Sequence, residues 1–137
     1  MTEQTHIIPP NSKKILLVDD DKFLLDMYAI KFSKAGYEVK AADSTDSAMK
    51  IIRDGYIPDV MLSDIVMPGM DGLELISVIH KEKLIPESVF IMLTNQGSSD
   101  DISRAKKLNA DGYIVKATTI PSEVLAEVER IIRSKKS

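Results

Sequence analysis

From Lys13 onward the apolar positions switch repeatedly between two periods. Short β-branched or aliphatic runs alternate with stretches in which apolar residues recur at helical spacing, the pattern of βα units arranged around a parallel sheet. The runs predict strands at 14–18, 38–41, 59–63, 89–93 and 112–115, and the helical stretches predict helices at 22–35, 45–54, 72–83, 99–108 and 121–134. Three of the strands are continuous apolar runs, suited to burial on both faces. Punctuation agrees: Gly36 and Gly55 follow the first two helices, Ser98-x-x-Asp101 can cap the fourth, and Pro121 stands where the fifth begins. In that last helix Val124, Leu125, Val128, Ile131 and Ile132 form one apolar stripe, with Glu123, Glu127, Arg130 and Lys135 outside it. The first helix carries two apolar lines, Leu24-Tyr28-Phe32 and Phe23-Met27-Ile30. Either a wide core buries both, or the second is a docking face. The expected fold class is α/β, a doubly wound five-stranded parallel sheet in a (βα)5 three-layer sandwich. It spans 13–135, after a disordered leader at 1–12 with its Pro9-Pro10 pair and before a tail at 136–137.

Composition narrows the partners. With 18 basic and 21 acidic residues the net charge is -3, which gives no electrostatic footprint for a nucleic acid and no basic anchor for a membrane. The chain has no cysteine, no signal-peptide pattern, and no apolar run near the roughly 18 residues a membrane span needs. A soluble cytoplasmic protein is the expectation.

In an open parallel sheet, ligands bind outside the carboxyl ends of the strands. The residues just past the predicted strand ends are Asp19, Asp20 and Asp21, then Asp64, then Thr94 and Asn95, then Lys116. Singly, each has an ordinary reading: an aspartate before a helix is commonly its N-cap, which suits Asp21, and a lone threonine or lysine is commonly a turn residue. Their conjunction on one sheet edge is what points to chemistry. If Asp19, Asp20 and Asp64 lie about 5 Å apart, each pairwise repulsion is roughly 3 kcal/mol at an effective dielectric near 20. Such a cluster wants a cation or a proton. Carboxylate oxygens suit magnesium, which accepts one or two protein carboxylates, several waters and a phosphate oxygen. Zinc has no ligand set here, since His6 lies in the leader and His80 in the third helix, and neither is given a role. Acids, a hydroxyl and an ammonium converging on one edge are parts for phosphoryl transfer, where charge on the phosphoryl oxygens must be neutralised from several sides. Asp64 is the natural nucleophile, forming an acyl phosphate.

On these residues the chain resembles the receiver domains of two-component response regulators over about 13–135, including stand-alone members such as the chemotaxis and sporulation regulators. The resemblance implies a flavodoxin-like fold and a phosphoacceptor rather than an enzyme. It implies that Asp19 and Asp20, in "ILLVDDD", hold Mg2+ together with Asp64 and the backbone carbonyl of Val66. Asp64, in "LSDIVMPGMDG", would take the phosphoryl group from a histidine kinase or phosphotransfer protein. Thr94 in "IMLTN" would bond that group and Lys116 in "GYIVK" would pair with it, while Tyr113 would be the aromatic switch residue. The face made by the fourth helix, fifth strand and fifth helix would signal to a downstream partner. Two positions depart from the family pattern. Ala117 follows Lys116 where a cis-bonded proline is usual, and a cis bond without proline costs about 2.5–4 kcal/mol. Asn95 stands where a small residue is usual and, with Val66, flanks the entrance, where the pair would set access for water and donor.

Two other readings keep most of these residues. A haloacid-dehalogenase-like phosphatase shares the order Asp19-x-Asp21, Thr94, Lys116, but Phe23 occupies a position it needs small, and Thr118-Thr119-Ile120-Pro121 supplies no later acidic pair. A receiver-like interaction module that is never phosphorylated would keep the fold and lose the chemistry.

Overall fold

The computed structural model describes residues 13–94, 99–116 and 119–136, and in them the elements follow the predicted alternation. They are β1 (Lys14–Val18), α1 (Lys22–Lys34), β2 (Glu38–Ala42), α2 (Thr45–Arg53), β3 (Val60–Asp64), α3 (Gly72–Glu82), β4 (Val89–Thr94), α4 (Ser99–Lys107), β5 (Gly112–Val115) and α5 (Pro121–Lys136). The five strands form one parallel sheet in the order β2-β1-β3-β4-β5, the doubly wound arrangement expected. The leader, Asn95, the Ser98 cap and the Lys116-Ala117 peptide lie outside the described residues.

Three strands run one residue further than their apolar patterns. Asp64 is paired with Leu93 and Thr94 with Val115, so both are the last rungs of the ladder rather than the first loop residues. Ladder hydrogen bonds use only the backbone, so a polar side chain at the end of a strand does not stop the pairing.

Alternate side chains on each strand face opposite sides of the sheet, and two cores result. Ile15 and Leu17 of β1, Val60 and Leu62 of β3, Ile91 and Leu93 of β4 and Ile114 of β5 pack against α1 and α5. Leu16 and Val18, Met61, and Phe90 with Met92 face α2, α3 and α4 on the other side. On α5 the apolar stripe is buried as its spacing predicts, with Leu125 at the margin. On α1 the two lines part. Leu25, Tyr28 and Phe32 are buried and Leu24 sits at the edge of the core, whereas Phe23 is 73% exposed, Ile30 57% and Met27 37%. The core stripe is thus rotated to include Leu25, and the second line faces outward.

The same alternation positions the polar residues. Continuing Ile15-Leu17 brings Asp19 to the α1/α5 side, Val60-Leu62 brings Asp64, and Ile114 brings Lys116. Thr94 follows Phe90 and Met92 and belongs to the opposite side, toward α4.

Candidate functional site

The acids are fixed by the backbone around them. The Asp19 amide donates to the carbonyl of Ala42 at 3.1 Å, and its Oδ1 accepts from the amide of Asp21 at 2.9 Å. Asp21 itself caps α1, accepting from the Leu24 amide at 3.1 Å. After Asp64 the Ile65 amide donates to Leu93 across the sheet at 3.1 Å, which holds the strand end in place. The chain then returns: the Gly72 amide donates to the Ile65 carbonyl at 2.8 Å, and a Cβ on Gly72 would lie 2.0 Å from the Asp64 carbonyl oxygen. Only glycine admits that approach.

Asp19, Asp20 and Asp64 each offer a carboxylate oxygen within 4.8 Å of the others, close to the spacing assumed from the sequence. Asp19 and Asp64 are buried and Asp20 is exposed. Lys116 Nζ lies 2.9 Å from Oδ2 of both Asp19 and Asp64, with its side chain 11% exposed. The contact to Asp64 is a hydrogen bond, while that to Asp19 is an ion pair without hydrogen-bond geometry. Burial pushes the Asp64 carboxyl above the usual carboxylate range, with the Asp19 and Asp20 charges adding to the rise and Lys116 opposing it. For Lys116, burial favours the neutral amine, but its two carboxylate partners outweigh that and hold the ammonium above its ordinary pKa. The cluster therefore carries more negative charge than one ammonium balances.

Oδ1 of Asp64, Oδ2 of Asp19 and Oγ1 of Thr94 are buried without a hydrogen-bond partner among the described residues. Buried polar atoms left unpaired are costly and few in folded proteins. Asp19 Oδ2 still faces the Lys116 ammonium, whereas Asp64 Oδ1 faces no cation among the described residues; with the solvent-facing third acid, these hard carboxylate oxygens form a donor set that fits a small divalent cation such as magnesium. The third unpaired atom, the Thr94 hydroxyl, ends the strand next to Asp64.

The structure thus brings Asp19, Asp20, Asp64 and Lys116 together. Thr94 is on the adjoining strand end, and Val66, 57% exposed, is just beyond Asp64. Tyr113 lies on β5 and is 37% exposed. His80 is at the end of α3, edge-on to Phe90 at 4.8 Å between ring centroids. Sequence reasoning passed over the α3 cap. Asp71 Oδ1 accepts from the Glu74 amide at 2.8 Å and Glu74 returns the bond to the Asp71 amide at 2.9 Å. The Asp-x-x-Glu spacing was the available signal.

The model of the response regulator receiver domain matches residues 15–129. The chain belongs to the response regulator receiver family. Among curated relatives, the phosphate regulon transcriptional regulatory protein PhoB of Pseudomonas aeruginosa is 35% identical over 121 residues, covering 88% of this chain and 52% of that protein. The PhoB of Klebsiella pneumoniae is 29% identical, with 89% of this chain and 52% of that protein covered. The chain spans about half the length of these curated relatives. Among solved structures, the chemotaxis response regulator CheY4 of Vibrio cholerae superposes with a TM-score of 0.80 at 28% identity, covering 88% of this chain and 99% of that one. A CheY-like receiver domain protein from Methanospirillum hungatei gives 0.81 at 29% identity, with 92% and 98% covered. Receiver domains are signalling domains, and the acid cluster here fits the site at which they accept a phosphoryl group. Asp21, which the phosphatase reading would pair with Asp19 as a second acid, has its Oδ1 engaged in capping α1.

Proposed function

We propose that this receiver accepts a phosphoryl group from the phosphohistidine of a histidine kinase or phosphotransfer protein onto Asp64, in a magnesium-dependent reaction in the cytoplasm. The observation that carries this reading is the buried Asp64 carboxylate, held against Lys116 at 2.9 Å, with its other oxygen lacking a hydrogen-bond partner among the described residues. A carboxylate oxygen of Asp64 attacks phosphorus, the bond to the donor nitrogen breaks, and the electron pair leaves with the imidazole. Asp19, Asp20, Asp64 and the Val66 carbonyl would hold Mg2+, which when bound supplies positive charge to the phosphoryl oxygens. Lys116 already contacts Oδ2 of the same carboxylate and would neutralise the phosphoryl group by pairing with it. The Thr94 hydroxyl, which has no partner among the described residues, is the donor available to a phosphoryl oxygen at the end of β4.

Movement of Thr94 toward that oxygen opens space on the α4 side of the sheet, into which the half-exposed Tyr113 ring turns. The resulting population shift is presented to a downstream protein by the face of α4, β5 and α5. By the family pattern Val66 and Asn95 would set how readily water or donor reaches the site; Val66 is 57% exposed, and Asn95 lies outside the described residues. Incubation with a small acyl-phosphate donor and Mg2+ should add one phosphoryl group, located on Asp64 by peptide mapping and abolished in Asp64→Asn. An unchanged mass, or undiminished labelling of the variant, would sink the proposal.

A further inference from the structure

The loop that follows Asp64 is tied to α4 by one ion pair. Arg104 Nη2 lies 3.2 Å from Oδ2 of Asp71, and its Nη1 lies 3.7 Å from Asp101 on its own helix. Both oxygens of Asp71 are therefore engaged, Oδ1 in the cap of α3 and Oδ2 with Arg104. The next residue is Gly72, whose amide holds the Ile65 carbonyl and whose Cα rests against the carbonyl of Asp64. A continuous path of contacts thus runs from α4 through Arg104, Asp71 and Gly72 to the backbone of Asp64.

The rest of α4 gives that contact weight. Its sequence, SDDISRAKK, is strongly polar, and Ala105 is its one fully buried side chain among the described residues. A helix with so little apolar surface in the core is placed largely by its polar contacts and its connections. Arg104 belongs to the last turn of α4, where a cation also suits the helix dipole, so its position is favourable on both counts.

We propose that Arg104 is a positioning residue for the phosphoacceptor: through Asp71 and Gly72 it fixes the loop after Asp64, and it makes the position of α4 and the geometry of the acid site depend on each other. Thr94 and Tyr113 would provide one connection between site and output face; this is a second, which runs through the loop after β3 rather than through the end of β4. The phosphorylation arm of the test rests on the function proposed above, and the loop arm does not.

Three variants separate the contributions: Arg104→Gln, Asp71→Asn, which keeps an oxygen to cap α3, and the double variant, with Arg104→Lys as the conservative control. Amide hydrogen exchange in the unphosphorylated protein should be faster across residues 65–73 by about two- to fivefold in either single variant, the range an exposed ion pair supports. The double variant should exchange no faster than the singles, and Arg104→Lys should restore most of the protection. The rate of Asp64 labelling by a small acyl phosphate, corrected for folded protein, should change in the same pattern. Exchange at 65–73 equal to wild type in Arg104→Gln, or additive effects in the double variant, would overturn the tether. Altered exchange with labelling rates unchanged would overturn its positioning role. If wild type itself takes no label, the proposed function fails, the positioning role fails with it, and exchange still decides whether the tether exists.

Discussion

Gly72 shows how much of the site depends on one missing methylene. Its Cα sits against the Asp64 carbonyl, where a Cβ would be 2.0 Å from oxygen and 3.0 Å from the Met92 side chain. Backbone cannot yield as the end of a flexible side chain can, so Gly72→Ala must displace either the start of α3 or the end of β3. The expected cost is roughly 1–3 kcal/mol in unfolding free energy, read from urea denaturation, with slower labelling of Asp64 by a small phosphodonor. The sequence offered little sign of this. A glycine at the first position of a helix reads as part of a turn, and only the return of the chain over Asp64 reveals the constraint. Asp19, Asp64 and Lys116 were legible because each stands at the end of a predicted strand, and their conjunction on one sheet edge outweighs the ordinary reading each has alone. Arg104 was not legible, since it looks like any basic residue in the last turn of a polar helix.

At the scale of elements, α1 is the informative case. Its spacing offered two apolar lines without saying which was core, and the sheet takes the Tyr28-Phe32 line rotated further from the second to include Leu25. The outward line of Phe23, Met27 and Ile30 starts two residues after Asp21, the cap that directly follows Asp19 and Asp20. An apolar strip contiguous with the entrance to the site is suited to hold the apolar surface of the phosphodonor protein. The double change Phe23→Ser and Ile30→Ser should slow phosphotransfer from a phosphorylated kinase by about tenfold or more, while labelling by a small acyl phosphate stays at the wild-type rate. Equal rates with the protein donor would remove α1 from the docking surface. Strand ends were misplaced by one residue for a simpler reason: periodicity reports where apolar side chains stop, and backbone pairing continues past them.

For the whole molecule, the acid cluster sets stability against function. Burial makes the charged form of Asp64 costly, and the single Lys116 ammonium cannot balance three carboxylates. In a chelating buffer at neutral pH, Asp64→Asn should therefore melt above wild type. Added Mg2+ should stabilise wild type by about 1.4 kcal/mol at ten times its Kd and should have a smaller effect on the variant, both followed by thermal denaturation. The fold as a whole was readable because five apolar runs alternating with helices leave few arrangements for a parallel sheet. The alternation of side chains that sorts the two cores carries one more implication. Asp64 shares a face with Val60 and Leu62, as Asp19 does with Ile15 and Leu17. Deleting one residue inside β1 or β3 would swing its acid to the far side of the sheet, out of reach of Lys116, so these strands can change length only in pairs of residues, whereas the loops beyond the opposite edge carry no such restriction.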